Sequence, residues 1–267
     1  MLSRLLREIL FSVIHLVVNV LVAVQNVYQL FWIKKFNLFR KKVTTSEIKL
    51  ILENVPNMSK KLNHLVVLTD TNHYSMSDLA HLVIWSLVAG IPYVSFYDKT
   101  GKYNMHLKKS NKSRMLKKYE EKLFCEIERN KKGVPGCVKW STKPDLNGYS
   151  NGNQANTINV NIFTYDDGRP VIVRCVHQII EQKLKCHRSS KEFTAKEFDE
   201  AVSSVYPVIP DPDLALYSGP LCSTYGLLPW QIRLTEFVQL SSKSRPNVYD
   251  YLGALYKFNK CDQRFGK

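Results

Sequence analysis

The sequence predicts an α/β fold with a mainly parallel sheet flanked by helices, preceded by an N-terminal membrane helix. Two observations carry this. Compact apolar runs of strand character alternate with segments of helical apolar spacing, the order that builds strand–helix–strand units and parallel sheets. Ahead of them, Ile9 to Ile33 is a run of 25 residues without a formal charge, counting His15 as neutral.

At 1.5 Å per residue that run makes a helix of about 37 Å, enough to cross roughly 30 Å of hydrocarbon with some tilt. It is too long for a signal-peptide core, and no small-residue cleavage pattern follows it. Arg4 and Arg7 precede it, whereas Lys34, Lys35, Arg40, Lys41 and Lys42 follow. The larger basic cluster predicts a cytosolic C-terminal side. Ser12, His15, Asn19, Gln25, Asn26 and Gln29 fall within an arc of roughly 140°. Such a seam suits packing against another membrane helix, and equally a helix lying among headgroups. Its lack of lysines favours spanning. Two sequons, Asn57-Met58-Ser59 and Asn111-Lys112-Ser113, are then expected to stay unglycosylated; an endoglycosidase-sensitive mobility shift would overturn the orientation.

The segments are residues 1–8 (basic), 9–33 (the transmembrane or interfacial helix), 34–45 (a basic connector) and 46–267 (a single α/β domain). In that domain Ser46 to Asn54 reads as a short helix capped by Ser46. His64 to Thr69 suits a buried parallel strand. Ser77 caps an apolar helix to Ala89, stopped by Gly90 and Pro92, and Tyr93 to Tyr97 is the second strand. Ser110 to Arg129 is a long charged helix. Lys143 to Thr157, rich in Asn, Gly, Pro and Ser, is a loop. Ile158 to Thr164 is a strand, followed by a turn at Asp166-Asp167-Gly168 and a helix from Pro170 to Lys185. Thr194-Ala195-Lys196-Glu197 is a capping box opening another helix. Leu214 to Tyr217 is a final short strand, and Tyr249 to Cys261 a terminal helix.

Net charge is +15 over 267 residues, with 45% hydrophobic. About 220 residues remain beyond the apolar run, enough for one well-cored domain. The basic balance points to an anionic partner. No helix-turn-helix, zinc-finger or RNA-motif signature accompanies it, which argues against nucleic acid; membrane headgroups fit better. The run Lys102 to Lys118 would also serve as a solvated face. Six cysteines, at 125, 137, 175, 186, 222 and 261, are scattered singly, without metal-ligand spacing, and read as reduced thiols. Cys175 with His177, and Cys186 with His187, are helix neighbours that do not face each other.

The chain ends Gln263-Arg264-Phe265-Gly266-Lys267. A guanidinium that forks onto phosphate, two successive N–H groups that can form an anion-binding concavity and a glycine that permits close backbone approach would make a small diphosphate clamp. The same residues would also make an ordinary frayed basic tail. This ending, Pro210-Asp211-Pro212-Asp213-Leu214, Gly219-Pro220, and the block from Ser223 through Gly226 and Leu228-Pro229-Trp230-Gln231 to Glu236 together resemble the Nogo-B receptor family, the auxiliary subunit of eukaryotic cis-prenyltransferase. The resemblance is dense from Pro210 to Lys267 and thinner from His64 to Asp98.

Catalytic cis-prenyltransferases carry Asp-Gly-Asn-Arg-Arg after the first strand; the matching run here is Asp70-Thr71-Asn72-His73-Tyr74. The glycine and both arginines are gone, so a Cβ obstructs phosphate approach and most charge compensation is lost. Their second block, Arg-x-Ser-Gly-Glu-x-Arg, corresponds to Leu216-Tyr217-Ser218-Gly219-Pro220-Leu221-Cys222, again without its glutamate and arginines. The resemblance therefore implies a membrane-anchored accessory subunit of dehydrodolichyl diphosphate synthase at the endoplasmic reticulum, not active alone, in a heterodimer whose catalytic partner holds Mg²⁺. That complex condenses isopentenyl diphosphate onto farnesyl diphosphate to make the dolichol precursor for protein glycosylation. Arg264 would act in trans in the partner's site, with Phe265, Gly266 and Gly226 on isopentenyl diphosphate. Gly226 would equally serve as a turn glycine. Trp230 would anchor the interface, or pack as an ordinary core tryptophan. Two rivals are a receptor or scaffold unconnected with prenyl transfer, and a self-sufficient prenyltransferase using Asp70.

Overall fold

The computed structural model describes residues 2–37, 43–69, 74–98, 109–131, 133–140, 156–185, 193–205, 209–219, 221–240 and 245–262. The chain divides into two units, Met1–Lys41 and Lys42–Lys267. The first holds one helix, α1 (Leu2–Asn37), which runs past both ends of the uncharged stretch. Within it Arg7–Gln25 is long and apolar enough to cross a membrane, with mean hydropathy 2.0. Its apolar side chains, among them Phe11, Leu16 and Leu21, are exposed, an arrangement costly in water at about 25 cal/mol per Å² and neutral in lipid. The side chains of Asn26 and Gln29 lie outside the described residues.

The second unit contains α2 (Thr45–Asn54), β1 (His64–Thr69), α3 (Met76–Val88), β2 (Tyr93–Asp98), α4 (Lys109–Asn130), β3 (Cys137–Trp140), β4 (Thr157–Phe163), α5 (Arg169–Lys185), α6 (Ala195–Val205), β5 (Leu214–Tyr217), β6 (Glu236–Gln239) and α7 (Val248–Lys260). Six strands form one sheet in the order β3-β4-β2-β1-β5-β6, and every neighbouring pair is parallel. The predicted mainly parallel sheet is thus the sheet observed.

Burial on both faces explains why β1 reads as a continuous apolar run: all six residues are buried, as in parallel sheets covered by helices. One face carries Leu65, Val67, Val94, Phe96, Val160 and Leu216 into the main core with α3, α4 and α7. Helix α3 is buried without a break from Asp78 to Leu87. The other face holds a smaller cluster of Val66, Leu68, Tyr97, Phe163, Ala215, Leu227 and Leu228. A third cluster joins α5 to α6 through Val171, Cys175, Ile179, Phe198 and Val202.

Four expectations are corrected. Helix α2 is capped by Thr44, not Ser46, and α3 by Ser75, not Ser77. In each, the carboxylate three residues on (Glu47, Asp78) reaches back to the cap's N–H, so the box selects the earlier hydroxyl. Strand β3 falls between Arg129 and Lys143, where the sequence reading places no element. Strand β6 follows a single 3-10 turn at Gln231–Leu234, so Leu214–Tyr217 is not the last strand. Both missed strands have four residues, too few for a two-residue period to declare itself.

A polar row crosses the second face where β1 begins. The Nδ1–H of His64 donates to the Pro210 carbonyl at 2.6 Å. Its Nε2 must then accept from the Ser95 hydroxyl at 2.7 Å, and Ser95 in turn accepts from Asn161 at 3.2 Å. Asp213 accepts from the N–H groups of Asn63 and His64, tying the start of β1 to the start of β5. Burial pulls the His64 pKa down to about 4, against the upward pulls of the Pro210 carbonyl and Asp213. The unfolded chain takes up this proton near 6.5 and the folded one only near 4, so protonation favours unfolding. The His64 contribution is whole above pH 6.5 and is lost as pH falls toward 4, at up to about 1.4 kcal/mol per pH unit. Urea denaturation of the soluble unit at pH 7.5 and 5 should show this acid loss, and a His64→Gln variant should flatten it. An unchanged pH slope in that variant would assign the loss to other groups.

Candidate functional site

In a parallel sheet, ligands bind beyond the carboxyl ends of the strands. Four central strands end together here: β1 at Thr69, β2 at Asp98, β4 at Phe163 and β5 at Tyr217. The Thr69 hydroxyl donates to the Tyr97 carbonyl at 2.8 Å, locking the ends of β1 and β2 side by side. Asp70, with Thr71, Asn72 and His73, lies outside the described residues.

A loop after β5 closes over this edge. Tyr225, Gly226 and Leu228 have φ of 50°, 81° and 29°, three left-handed residues among four. That conformation suits glycine and strains the other two. Two contacts hold it. The Tyr97 hydroxyl, on β2, donates to the Tyr225 carbonyl at 2.8 Å. Burial first, then Asp167, Asp98 and Tyr165, push the Tyr97 pKa up to about 12, so the hydroxyl remains a donor across the physiological range. From the β4 side, Gly168 lies so close to Gly226 that a Cβ on Gly168 would sit 2.3 Å from the Gly226 oxygen. Gly168 is itself fixed by the turn Tyr165–Asp167, where Asp167 accepts from the Thr164 N–H at 2.7 Å. Gly226 is thus presented over the carboxyl edge, its backbone held from two strands. The neighbourhood of Tyr97 and Gly168 went unremarked in the sequence; Gly168 reads there only as a turn residue.

The segment matching the second catalytic block begins in the last two residues of β5 and runs on beyond it. Gly219 is left-handed, with φ of 95°, and its carbonyl accepts from Gln239. Leu216 is buried and Cys222 exposed, at the two places where the catalytic pattern carries arginine. Pro220 lies outside the described residues. Among the described residues no group of three or more His, Cys, Asp or Glu could hold a metal ion, and five cysteines are free thiols.

Trp230 is half-buried in the third cluster. Its indole N–H donates to Asp199 at 2.8 Å and its ring meets Phe198 edge-on at 4.6 Å. The Arg233 guanidinium lies over the ring at 4.8 Å. It therefore anchors the Gly226 loop to α6, and only its remaining exposed edge is open to a partner. Arg264, Phe265 and Gly266 lie outside the described residues. Their root is described: α7 ends at Cys261, where the Lys60 ammonium donates to the Cys261 carbonyl. Lys60 precedes β1, so this root stands at the amino edge of the sheet, the end opposite Gly226.

Six parallel strands with flanking helices and a loop closed over the carboxyl edge define a cis-prenyltransferase-like fold. Lavandulyl diphosphate synthase from Lavandula x intermedia, solved with dimethylallyl diphosphate, matches with a TM-score of 0.54 at 18% identity, over 77% of this chain and 98% of its own. A probable undecaprenyl diphosphate synthase from Campylobacter jejuni matches at 0.51 and 15% identity, over 78% and 100%. No family model matches the chain. The chain is similar to the NUS1 subunits of dehydrodolichyl diphosphate synthase complexes, as the resemblance in its C-terminal block implied. It is 34% identical to human NUS1 over 209 residues, 76% of this chain and 65% of that protein. The mouse protein is 32% identical over 211 residues, 76% and 64%, and that of Schizosaccharomyces pombe 24% over 222, 81% of each. The chain thus spans just under two thirds of the mammalian relatives' length.

Proposed function

We propose that this protein is the membrane-anchored accessory subunit required for dehydrodolichyl diphosphate synthase activity. Its relatives are named as subunits of that complex. The observation that carries the accessory role is chemical: both segments that cradle phosphate in catalytic enzymes lack their arginines, and the second lacks its glutamate. A chain without those charges cannot compensate two diphosphates, whereas a catalytic partner holding Mg²⁺ can.

In this reading the chain contributes three things. Its N-terminal helix, α1, anchors the complex in the endoplasmic reticulum membrane with the folded domain in the cytosol. The surface around Trp230 meets the catalytic subunit. The C-terminal segment enters that subunit's site: Arg264 forks onto diphosphate oxygens, while the N–H groups of Phe265 and Gly266 donate to the incoming isopentenyl diphosphate. Gly226 lets backbone approach the same substrate site. Mg²⁺ on the partner neutralises diphosphate charge. The groups of this chain orient the substrate, at a gain of several kcal/mol where charge develops in the reaction.

The test is reconstitution. Purified alone with Mg²⁺, farnesyl diphosphate and isopentenyl diphosphate, the chain should make no product; co-purified with a catalytic cis-prenyltransferase subunit it should raise that subunit's turnover. Product from the chain alone, or no stimulation of the partner, would overturn the proposal.

A further inference from the structure

A five-residue segment can complete a partner's site only if the point from which it leaves is fixed. The exit here is the end of α7, where the Cys261 N–H donates to the Phe258 carbonyl at 3.1 Å and Cys261 itself is extended, at φ −70° and ψ 125°. The strap Ser59-Lys60, just ahead of β1, holds this exit. The Lys60 ammonium donates to the Cys261 carbonyl at 2.5 Å and lies 4.8 Å from the centroid of the Phe258 ring. The Asn259 side-chain oxygen accepts from the Lys60 N–H at 2.8 Å and from the Ser59 hydroxyl at 3.2 Å. One turn earlier the Tyr256 hydroxyl donates to Asn54 of α2 at 2.8 Å.

These bonds are not what holds α7 on the domain. Tyr251, Leu252, Ala254, Leu255 and Phe258 are buried in the main core and supply that attachment. The polar bonds gather instead on the last three residues before Asp262, where Lys60 and Asn259 are only half-buried. A charge-assisted bond, a cation over a ring and a two-donor amide, focused on one carbonyl and one side chain, fix a direction more than they add stability.

We infer that Lys60 and Asn259 are positioning residues that aim the C-terminal segment, and so set how well it completes the partner's isopentenyl diphosphate site. This rests on the role proposed above for Arg264, Phe265 and Gly266. A misplacement of about 1 Å in a catalytic group can cost up to about 10²-fold in rate. A clasp two residues from the segment should therefore matter kinetically while mattering little to folding.

The experiment uses the co-purified complex. Lys60→Met keeps the apolar stem on Phe258 and removes the donor; Asn259→Leu removes the acceptor. Each should lower kcat/KM for isopentenyl diphosphate by about 10-fold, leaving KM for farnesyl diphosphate, subunit affinity and the thermal midpoint near the parent's. Asn259→Asp, which keeps the acceptor, should restore most of the loss. In a background lacking residues 264–267 the same substitutions should have no further effect, because what they aim is gone. If the truncation cripples the complex yet Lys60→Met and Asn259→Leu do not, the clasp inference fails and the reading of the tail stands. Losses that are equal with and without residues 264–267 would make the clasp merely structural and also sink the inference. Full activity after truncation removes both.

Discussion

Deleting residues 264–267 should lower turnover of the reconstituted complex by about 10²–10³-fold while the two subunits stay associated. Removing a single preorganised donor from a site where negative charge develops typically costs that much, and this deletion removes a guanidinium and two N–H groups at once. The described helix α7 is attached through its buried face, upstream of the deletion. Initial rates at saturating farnesyl diphosphate, with co-elution of the subunits as control, give the measurement. Arg264→Lys should recover little, because a point charge cannot reproduce the two-pronged fit to phosphate. Near-normal rates in the truncated complex would end the in-trans reading of the segment.

Substituting one methyl group at Gly168 should damage the molecule at the opposite edge of the sheet. With φ −95° the residue is not left-handed, and the contact an added Cβ would make decides the effect. The added Cβ would stand 2.3 Å from the Gly226 oxygen and 3.3 Å from that of Tyr165, and neither is the end of a flexible side chain. Overpacking of this kind costs about 1–3 kcal/mol, or a fall in thermal midpoint of about 2–4 °C per kcal/mol in a domain this size. The Gly226 loop, already left-handed at three of four positions, has little room to absorb the shift. Gly168→Ala should therefore reduce stimulation of the catalytic subunit by more than its stability loss explains. Gly253→Ala is the control: nothing lies within 4 Å of its added Cβ, and helical alanine should stabilise by about 0.5–1 kcal/mol. A Gly168→Ala protein as stable and as stimulatory as the parent would show that the two loops do not depend on this contact.

How much of this was legible depended on whether a residue's role is local. Strands β1 and β5 fall where the apolar runs place them, His64–Thr69 and Leu214–Tyr217, because burial on both faces keeps the interior of each run apolar. The box Thr194–Glu197 forms as read, the Thr194 N–H donating to the Glu197 carboxylate at 3.0 Å. The caps of α2 and α3 slipped by two positions because each start offers more than one hydroxyl residue, and only the reach of the third-position carboxylate decides among them. At the candidate site, Gly226 and Trp230 could be singled out from the block that carries them. Their partners could not. Tyr97 touches the loop from a position 128 residues away, and Asp199 is bound by Trp230 from 31 away. The pairing of Lys60 with Asn259 spans 199. Contacts at such separations leave no periodicity to read.

The strand order also dictates a timetable for the growing chain. The bond from Thr69 to the Tyr97 carbonyl closes over 28 positions, so one flank of β1 is satisfied soon after it leaves the ribosome. Its other flank waits for β5: the bond from Asn63 to Asp213 closes over 150. At about 5–20 residues per second the added wait is on the order of 6–24 s, during which this fully buried strand shows a bare edge. In the membrane-anchored reading proposed above, the nascent domain passes this interval tethered at a membrane surface. Synonymous codon changes that slow translation between β2 and β5 should then raise the share of chain that aggregates or is captured by chaperones, and leave the finished protein unaltered.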